Sequence, residues 1–497
     1  MNALRADGAR VSGDKAWNAW LQKARQARAY CPVLPSTLQA ELRDYQSEGF
    51  TWLARLAYWG VGACLADDMG LGKTLQALSI ILLRAAAGPT LVVAPTSVCL
   101  NWQEEAKRFA PTLNIVLFGG RNRGKLLAAL GPFDVLVASY GLLQHESQAL
   151  AAAPWVTIVL DEAQAIKNRA TKRSRAAMAL RGDFRIITTG TPIENHLGEL
   201  WNLFQFLNPG LLGPLDRFQK RFAVPIERDG RRDIRLKLKK LVQPFILRRL
   251  KSEVLDELPP RTEVTLKVQM KRQERAFYEA IRQRAVETLH NDGGRPAEKH
   301  VRILTEITRL RRCCCNPRLI LPGTTIPSAK LEEFGRIVEE LLEGGHKALV
   351  FSQFVGHLAL IREYLNKRSV SYQYLDGATP ANQRARRVAA FQAGTGDLFL
   401  ISLKAGGVGL NLTAADYVIH LDPWWNPAVE DQASDRAHRI GQQRPVTVYR
   451  LVAENTIEEK IVALHRAKKD LAASLLEGGN LTGKMNSQEL LELIVQP

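Results

Sequence analysis

The residues with the most evident chemistry lie in Ala66-Asp67-Asp68-Met69-Gly70-Leu71-Gly72-Lys73-Thr74. An apolar run, Val61 to Leu65, precedes them and reads as a buried strand, while Leu75 to Leu83 comes after with helical length and apolar content. A strand, a glycine turn and a helix opening on Gly-Lys-Thr form a phosphate cradle. Backbone N–H groups and the helix N-terminus face the anion, Lys73 reaches the outer phosphates, and the Thr74 hydroxyl can ligate magnesium. Asp67 stands where G-x-x-x-x-G-K-[ST] has its first glycine, so the bare pattern is imperfect and a plain turn between core elements would look similar. A second pair, Asp161 and Glu162, directly follows the apolar run Val156 to Leu160. Acids there are costly unless used. Beside a phosphate loop, Asp161 can hold magnesium through water, and Glu162 can orient and deprotonate an attacking water. In isolation the pair would read equally well as helix N-terminal acids.

Other side chains can complete such a site. Gln46, upstream of the loop, carries an amide donor and acceptor that fit an adenine edge, although alone it would read as a surface residue. Thr189-Gly190-Thr191 ends a further strand, Arg185 to Thr188, where small hydroxyls can sense a γ-phosphate. Far along the chain, Gln432, Arg436 and Arg439 fall at i, i+4 and i+7, which predicts one helix face. Guanidinium groups presented across a cleft stabilise charge on a transferring phosphoryl group. Without the phosphate loop they would read as solvent-exposed arginines.

The elements that position these residues follow α/β grammar. Thr90 to Pro95, Phe133 to Ala138, Val156 to Leu160 and Arg185 to Thr188 are apolar runs of strand length in the first half. Ligands of open α/β sheets bind at strand carboxyl ends, so the polar ends share one rim. Lys347 to Phe351, Tyr372 to Leu375, Leu398 to Ser402, Tyr417 to Leu421 and Val446 to Leu451 repeat the device, and the second sheet is expected to begin at Lys347. Between the halves the pattern is helical. Leu200, Leu203, Phe204 and Leu207 sit at 3–4 spacing, and residues 231–251 carry nine Lys or Arg against one Asp. Phe245 to Lys251 is expected to end a helix, Leu258-Pro259-Pro260-Arg261 to cross between halves, and residues 263–320 to be mainly helical. Trp17, Trp20 and Leu21 at helical spacing predict a short N-terminal helix docked on whatever follows it.

The chain of 497 residues has 68 Lys+Arg against 50 Asp+Glu, a formal charge of +18. A polyanionic partner explains that surplus; nucleic acid is the commonest, an anionic membrane surface the alternative. No apolar run reaches about 18 residues and no apolar signal region opens the sequence, which predicts a soluble protein inside the cell with no membrane partner. Cys313-Cys314-Cys315 lacks the short Cys and His spacings of a zinc site and reads as small buried hydrophobes.

Taken in order, these motifs resemble superfamily II helicase-like ATPases and, in detail, the Swi/Snf family of DNA translocases. The resemblance is carried by Leu42-Arg43-Asp44-Tyr45-Gln46, the run Asp67 to Thr74, Asp161-Glu162-Ala163-Gln164 and Thr189-Gly190-Thr191-Pro192-Ile193-Glu194-Asn195. In the second half it is carried by Val350-Phe351-Ser352-Gln353-Phe354, the run Lys404 to Leu412, Asp422-Pro423-Trp424-Trp425-Asn426-Pro427 and the Arg436 segment with its His438-Arg439-Ile440-Gly441-Gln442 ending.

The resemblance covers about residues 38 to 470 and implies two tandem RecA-like parallel-sheet lobes, each with a helical insertion. The expected divisions are an N-terminal segment (1–37), lobe 1 (38–196), its insertion and linker (197–260), the insertion of lobe 2 (261–327), lobe 2 (328–470) and a tail (471–497). It implies ATP hydrolysis coupled to stepping along duplex DNA without full strand separation. ATP and magnesium would be held by Asp68, Met69, Gly70, Leu71, Gly72, Lys73 and Thr74, with Asp161 on the metal and Glu162 on the water. Gln46 would contact adenine; Gln432, Arg436 and Arg439 would complete the site; Lys404 and Trp425 would contact DNA. A DNA-bound protein is the implied cargo, and the chain is expected to be a monomer, or part of a larger protein or complex, in the cytoplasm at the nucleoid of a bacterium or archaeon. Gln164 departs from the family, where many members have His, at a position that links hydrolysis to motion. An RNA-directed or strand-separating helicase and an ATP-gated, non-hydrolysing DNA scaffold are the competing readings.

Overall fold

The structure, a computed structural model, describes residues 14–464 except 121, 191–195, 256, 291–295 and 407–409, together with 491 and 493–494. Thr191 to Asn195 and Gly407 to Gly409, parts of two of the sequence motifs, therefore lie outside the described residues, as does most of the expected tail.

Two parallel sheets dominate. The first contains β1 (Ala63–Leu65), β2 (Thr90–Ala94), β3 (Asn114–Leu117), β4 (Asp134–Ser139), β5 (Trp155–Asp161), β6 (Gly182–Thr188) and β7 (Ile246–Leu247), in the order β3-β4-β2-β5-β6-β1-β7. The second contains β8 (Arg261–Val268), β9 (Ala348–Ser352), β10 (Tyr372–Leu375), β11 (Leu398–Ser402), β12 (Tyr417–His420) and β13 (Val446–Ala453), in the order β10-β11-β9-β12-β13-β8. Strands such as β2, β9 and β11 are buried throughout and mostly apolar because both faces are covered: Val92 and Ala94 pack into one core layer, Leu91 and Val93 into the opposite one. No helix among the described residues is long and apolar enough to cross a membrane.

The structure corrects two expectations and adds one strand. The segment Phe245 to Lys251 does not end a helix. Helix Arg232–Val242 gives way at a turn containing Pro244, whose ring is incompatible with a helix interior, and Ile246-Leu247 then pairs with Cys64-Leu65 as the edge of the first sheet. Residues 261–268 are not part of a helical insertion. Val264, Leu266 and Val268 recur at period two, and β8 pairs with β13 along its full length, so the second sheet begins at Arg261 and not at Lys347. Finally, β3 adds a strand at the exposed edge that its mixed burial had concealed.

The ribbon after β7 does more than extend the sheet. Its backbone continues along the glycine-containing loop after β1, Ala66 N donating to Leu247 O at 2.7 Å and Asp68 N to Arg249 O at 3.0 Å. Arg249 then turns inward onto Asp67, which is completely buried: Nε donates to Oδ1 at 3.0 Å and Nη2 to Oδ2. Gln76 lies between them, accepting from Arg249 Nη2 at 2.8 Å and donating to Asp67 Oδ2 at 3.2 Å. Gly49 makes room, since a Cβ there would stand 1.9 Å from Gln76 Oε1. Helix Lys15–Ala29 docks as expected, with Trp20 against Trp59 at 4.7 Å between ring centroids.

Removing one member of a buried ion pair strands the other charge, at a cost of about 3–5 kcal/mol. Arg249→Ala is therefore expected to lower the urea midpoint of the first lobe sharply. The double variant Asp67→Asn/Arg249→Met should recover most of that loss, because no charge is left buried. Equal loss in single and double variants would contradict this account.

Candidate functional site

Strand β1 delivers the chain into the loop Ala66 to Gly72, and helix Lys73–Arg84 leaves it. Gly70 (φ 87°) and Gly72 (φ 73°) adopt left-handed backbone, so the turn depends on glycine. Close contacts enforce the same choice: a Cβ on Gly72 would lie 2.5 Å from Gln46 Nε2, and one on Gly70 2.8 Å from Arg439 Cβ. Lys73 Nζ donates to the carbonyls of Asp67 (2.7 Å) and Asp68 (3.1 Å), which puts an ammonium across the loop. Leu71 is buried, and its carbonyl accepts from Tyr45 Oη and Gln46 Nε2, each at 3.2 Å. Gln46 Oε1 accepts from Arg43 N at 3.1 Å, completing the start of helix Asp44–Trp59. The amide expected to read adenine is thus turned inward with both ends engaged, and such a contact requires these bonds to exchange.

On the adjacent rim, Asp161 ends β5 opposite Thr188 of β6. Its Oδ1 accepts from Thr188 Oγ1 (2.5 Å) and Glu162 N (3.0 Å), and its Oδ2 from Trp102 Nε1 (2.9 Å). The carboxylate is fixed in direction while keeping a lone pair on Oδ2 for a cation. Glu162 has φ 49°, an unusual backbone for a non-glycine residue. Burial pushes its carboxyl up, Asp161 adds to the rise, and Lys73, Gln164 and Arg436 oppose it. Gln164 donates to Glu162 Oε2 at 2.8 Å and accepts from Thr189 Oγ1 at 3.3 Å, so it links the acid pair to the end of β6. A cleft of about 320 Å³ borders Glu162 and Gln164, with Thr96, Tyr140 and Arg173 on its other walls.

One acid escaped the sequence reading. Glu105, on helix Thr96–Phe109, has its carboxyl pushed up by burial, with Arg439 and the Thr74 hydroxyl opposing the rise. The available signal was its i+3 position from Trp102, which puts both on the helix face toward the strand ends. Thr74, Glu105 and Asp161 supply the hard oxygen donors that suit magnesium.

The second lobe closes the site. Arg436 is buried, with Nη2 3.9 Å from Met69 Sδ; burial pulls its guanidinium down to about 10, and facing Glu162 works against that fall. Arg439 packs on Gly70, is likewise lowered by burial, and is held up by Glu105. These arginines do not share a helix face: helix Pro427–Ser434 stops before them, and tight turns carry them on. Gln442 pins those turns by donating to the carbonyls of Thr413, Ala415 and Ala437. Gln432 is half-buried on the preceding helix. Lys251 spans the lobes, its N donating to Asp68 Oδ2 (3.2 Å) and its Nζ to Asp435 Oδ1 (2.7 Å) and His438 O (2.6 Å). Burial raises the Asp68 carboxyl and lowers the Lys251 ammonium.

The two remaining residues lie elsewhere. Lys404 is on the short helix Leu403–Gly406, its side chain outside the described part. Trp425 is half-buried against the helical segment, with the Arg311 guanidinium 5.5 Å from its ring centroid.

Residues 45–319 match the SNF2-related domain and residues 329–441 the helicase conserved C-terminal domain. The chain is 40% identical over 476 residues to the Bacillus subtilis protein YwqA, covering 93% of this chain and 51% of that protein. It is 37% identical over 484 residues to the ISWI chromatin-remodeling complex ATPase CHR11 of Arabidopsis thaliana, with 93% and 45% covered. The chain thus spans about half the length of these curated relatives. The Sulfolobus solfataricus SWI2/SNF2 ATPase core in complex with dsDNA is 34% identical, covers 94% of this chain and 99% of that one, and has a TM-score of 0.46.

Glu162 offers a test that needs no substrate. Its folded pKa lies above the unfolded value, so ionisation costs stability at any pH above both, and the cost disappears once pH falls below the unfolded value. Glu162→Gln should melt a few degrees above the wild type at pH 8, with the gap closing toward pH 4. A constant gap would mean that carboxylate ionisation is not its cause.

Proposed function

The chain belongs to the SNF2 family, and on that premise we propose that it is a DNA-dependent ATPase which hydrolyses ATP between its lobes and moves along duplex DNA without full strand separation. The observation that carries this reading is Arg436, delivered by the second lobe, buried on Met69 of the phosphate loop and facing Glu162. A cation in that position responds to charge developing at the outer phosphate.

In this reading Lys73 neutralises the outer phosphates, exchanging its bonds to the Asp67 and Asp68 carbonyls for phosphate oxygens. Glu162 orients water and takes its proton; its raised carboxyl is suited to that task. Arg436 and Arg439 stabilise the transferring group, and Gln46 and Gln432 contact the nucleotide. Magnesium, bound near Thr74 and Asp161, would supply charge neutralisation between phosphates. Loss of the outer phosphate weakens the hold of Arg436 and Arg439 on the loop, so the lobes part. Alternating grip on the duplex by loops of each lobe then yields net movement. Lys404 and Trp425 belong to that grip, with Trp425 released from Arg311 to do so, and the +18 charge supplies counterion release. The divisions expected from the motifs, with β8 reassigned to the second sheet, describe the working parts. A DNA-bound protein is the cargo, and the cytoplasm, at the nucleoid, is the setting.

Steady-state ATPase with linear duplex DNA of increasing length tests this. Turnover should rise with length and then saturate, with Lys73→Ala and Glu162→Gln inactive but still binding DNA, and with Arg436→Ala reduced about 10³-fold. Stronger stimulation by RNA than by duplex DNA would refute the substrate, and wild-type turnover in Glu162→Gln would refute the site.

A further inference from the structure

Three buried side chains from distant stretches meet beneath the loop that carries Trp424 and Trp425. Cys315 ends helix Pro296–Cys315, His357 lies in the first turn of helix Val355–Lys367, and Asp422 follows β12. The Cys315 sulfur, a His357 ring nitrogen and an Asp422 carboxylate oxygen all lie within 4.8 Å of one another. His357 is only 1% exposed, and among the described residues neither of its ring nitrogens has a hydrogen-bond partner. Buried polar groups are normally satisfied, so an imidazole left in this way asks for a ligand.

The surroundings suit a cation. Ser352 Oγ donates to Asp422 Oδ1 and Gln353 N donates to Oδ2 at 3.3 Å, which fixes the carboxylate and leaves each oxygen a further lone pair. Lys330 and Glu458, buried nearby, neutralise each other at 2.6 Å. Arg311, the other local cation, is engaged by the rings of Phe354, Trp424 and Trp425 and donates to Pro423 O. Cys313 and Cys314 belong to the apolar core of the helical segment instead, because adjacent helix positions diverge by about 100°.

We propose that Cys315, His357 and Asp422 form a structural zinc(II) site that ties the helical segment to the second sheet. Sulfur, imidazole nitrogen and carboxylate oxygen are the donors zinc prefers, and the sulfur disfavours magnesium and calcium. In a tetrahedral site the donor atoms stand about 3.3–3.8 Å apart, so side-chain rotations that draw the trio together by about 1 Å complete it. The Cys315 proton leaves to solvent as sulfur ligates the metal, and a water or Ser352 Oγ takes the fourth position. Sequence spacing could not reveal such a site, because its ligands come from three separate elements.

The test is elemental analysis of chain purified without a metal-binding tag or chelator, with cobalt(II) substitution. About one zinc per chain is expected, together with a cobalt spectrum showing a near-ultraviolet thiolate charge-transfer band and strong tetrahedral visible bands. Cys315→Ser and His357→Gln should lower zinc content at least about tenfold, whereas Cys313→Ser and Cys314→Ser should retain it. If Cys315→Ser does not fold, the wild-type cobalt spectrum and His357→Gln still decide. Wild type that takes up no zinc on reconstitution, a cobalt form without a thiolate band, or a band that survives Cys315→Ser would overturn the proposal.

Discussion

The buried pair of Asp67 and Arg249 sets the form of everything near the phosphate loop. A fully buried carboxylate beside a turn shaped for anions would repel them unless its charge were cancelled, and Arg249, 182 residues away in sequence, cancels it with two hydrogen bonds. Buried ion pairs contribute little net stability but strongly penalise arrangements that break them. Here the pair fixes the course of the chain after β7. That course places Lys251 against Asp68 on one side and Asp435 on the other, so the loop, the connecting ribbon and the second lobe share one polar network.

A second network holds the acids. Asp161 is aimed by Trp102 and Thr188, and its Oδ1 also accepts from Glu162 N, which helps to hold Glu162 in its left-handed backbone. Gln164 then passes from Glu162 to Thr189 at the end of β6. A neutral amide serves this bridge well, because it donates to the carboxylate and accepts from the hydroxyl at once. Histidine at this position could do the same only in one tautomer. The departure at Gln164 therefore preserves a physical link between the acid pair and the neighbouring strand and removes a titrating group from it.

Most strands and the glycine turn before Lys73 were legible because both depend on local patterns: continuous apolar runs for strands buried on both faces, and fixed residue types for the turn. What escaped depends on distant partners or weak periodicity. β7 is two residues long and exists only because β1 offers an edge; β8 alternates at period two within a stretch that continues as helix; β3 is exposed. Arg249 lay hidden in a segment with nine basic residues whose other members gave no sign that one points inward. Spacing of i, i+4 and i+7 suggested a helix face for Gln432, Arg436 and Arg439, but Gln442 draws the chain into turns that nonetheless bring both arginines to the loop.

On the proposed function, charge placement would also couple binding to closure. Arg436 and Arg439 are lowered by burial, and the groups opposing that fall, Glu162 and Glu105, are themselves pushed up by burial. The closed arrangement therefore holds two cations and two acids that each resist their charged forms. On the proposed function, a polyphosphate entering between Lys73 and the arginines would favour the cations, and magnesium would favour the acids. Neither interaction is available in full when the second lobe stands away from Gly70 and Met69. By linkage, whatever binds the closed form more tightly also stabilises closure by the same free energy. On that reading the desolvation of Arg436 would bias the cleft toward opening until an anionic ligand reverses it, as the proposed motor cycle requires.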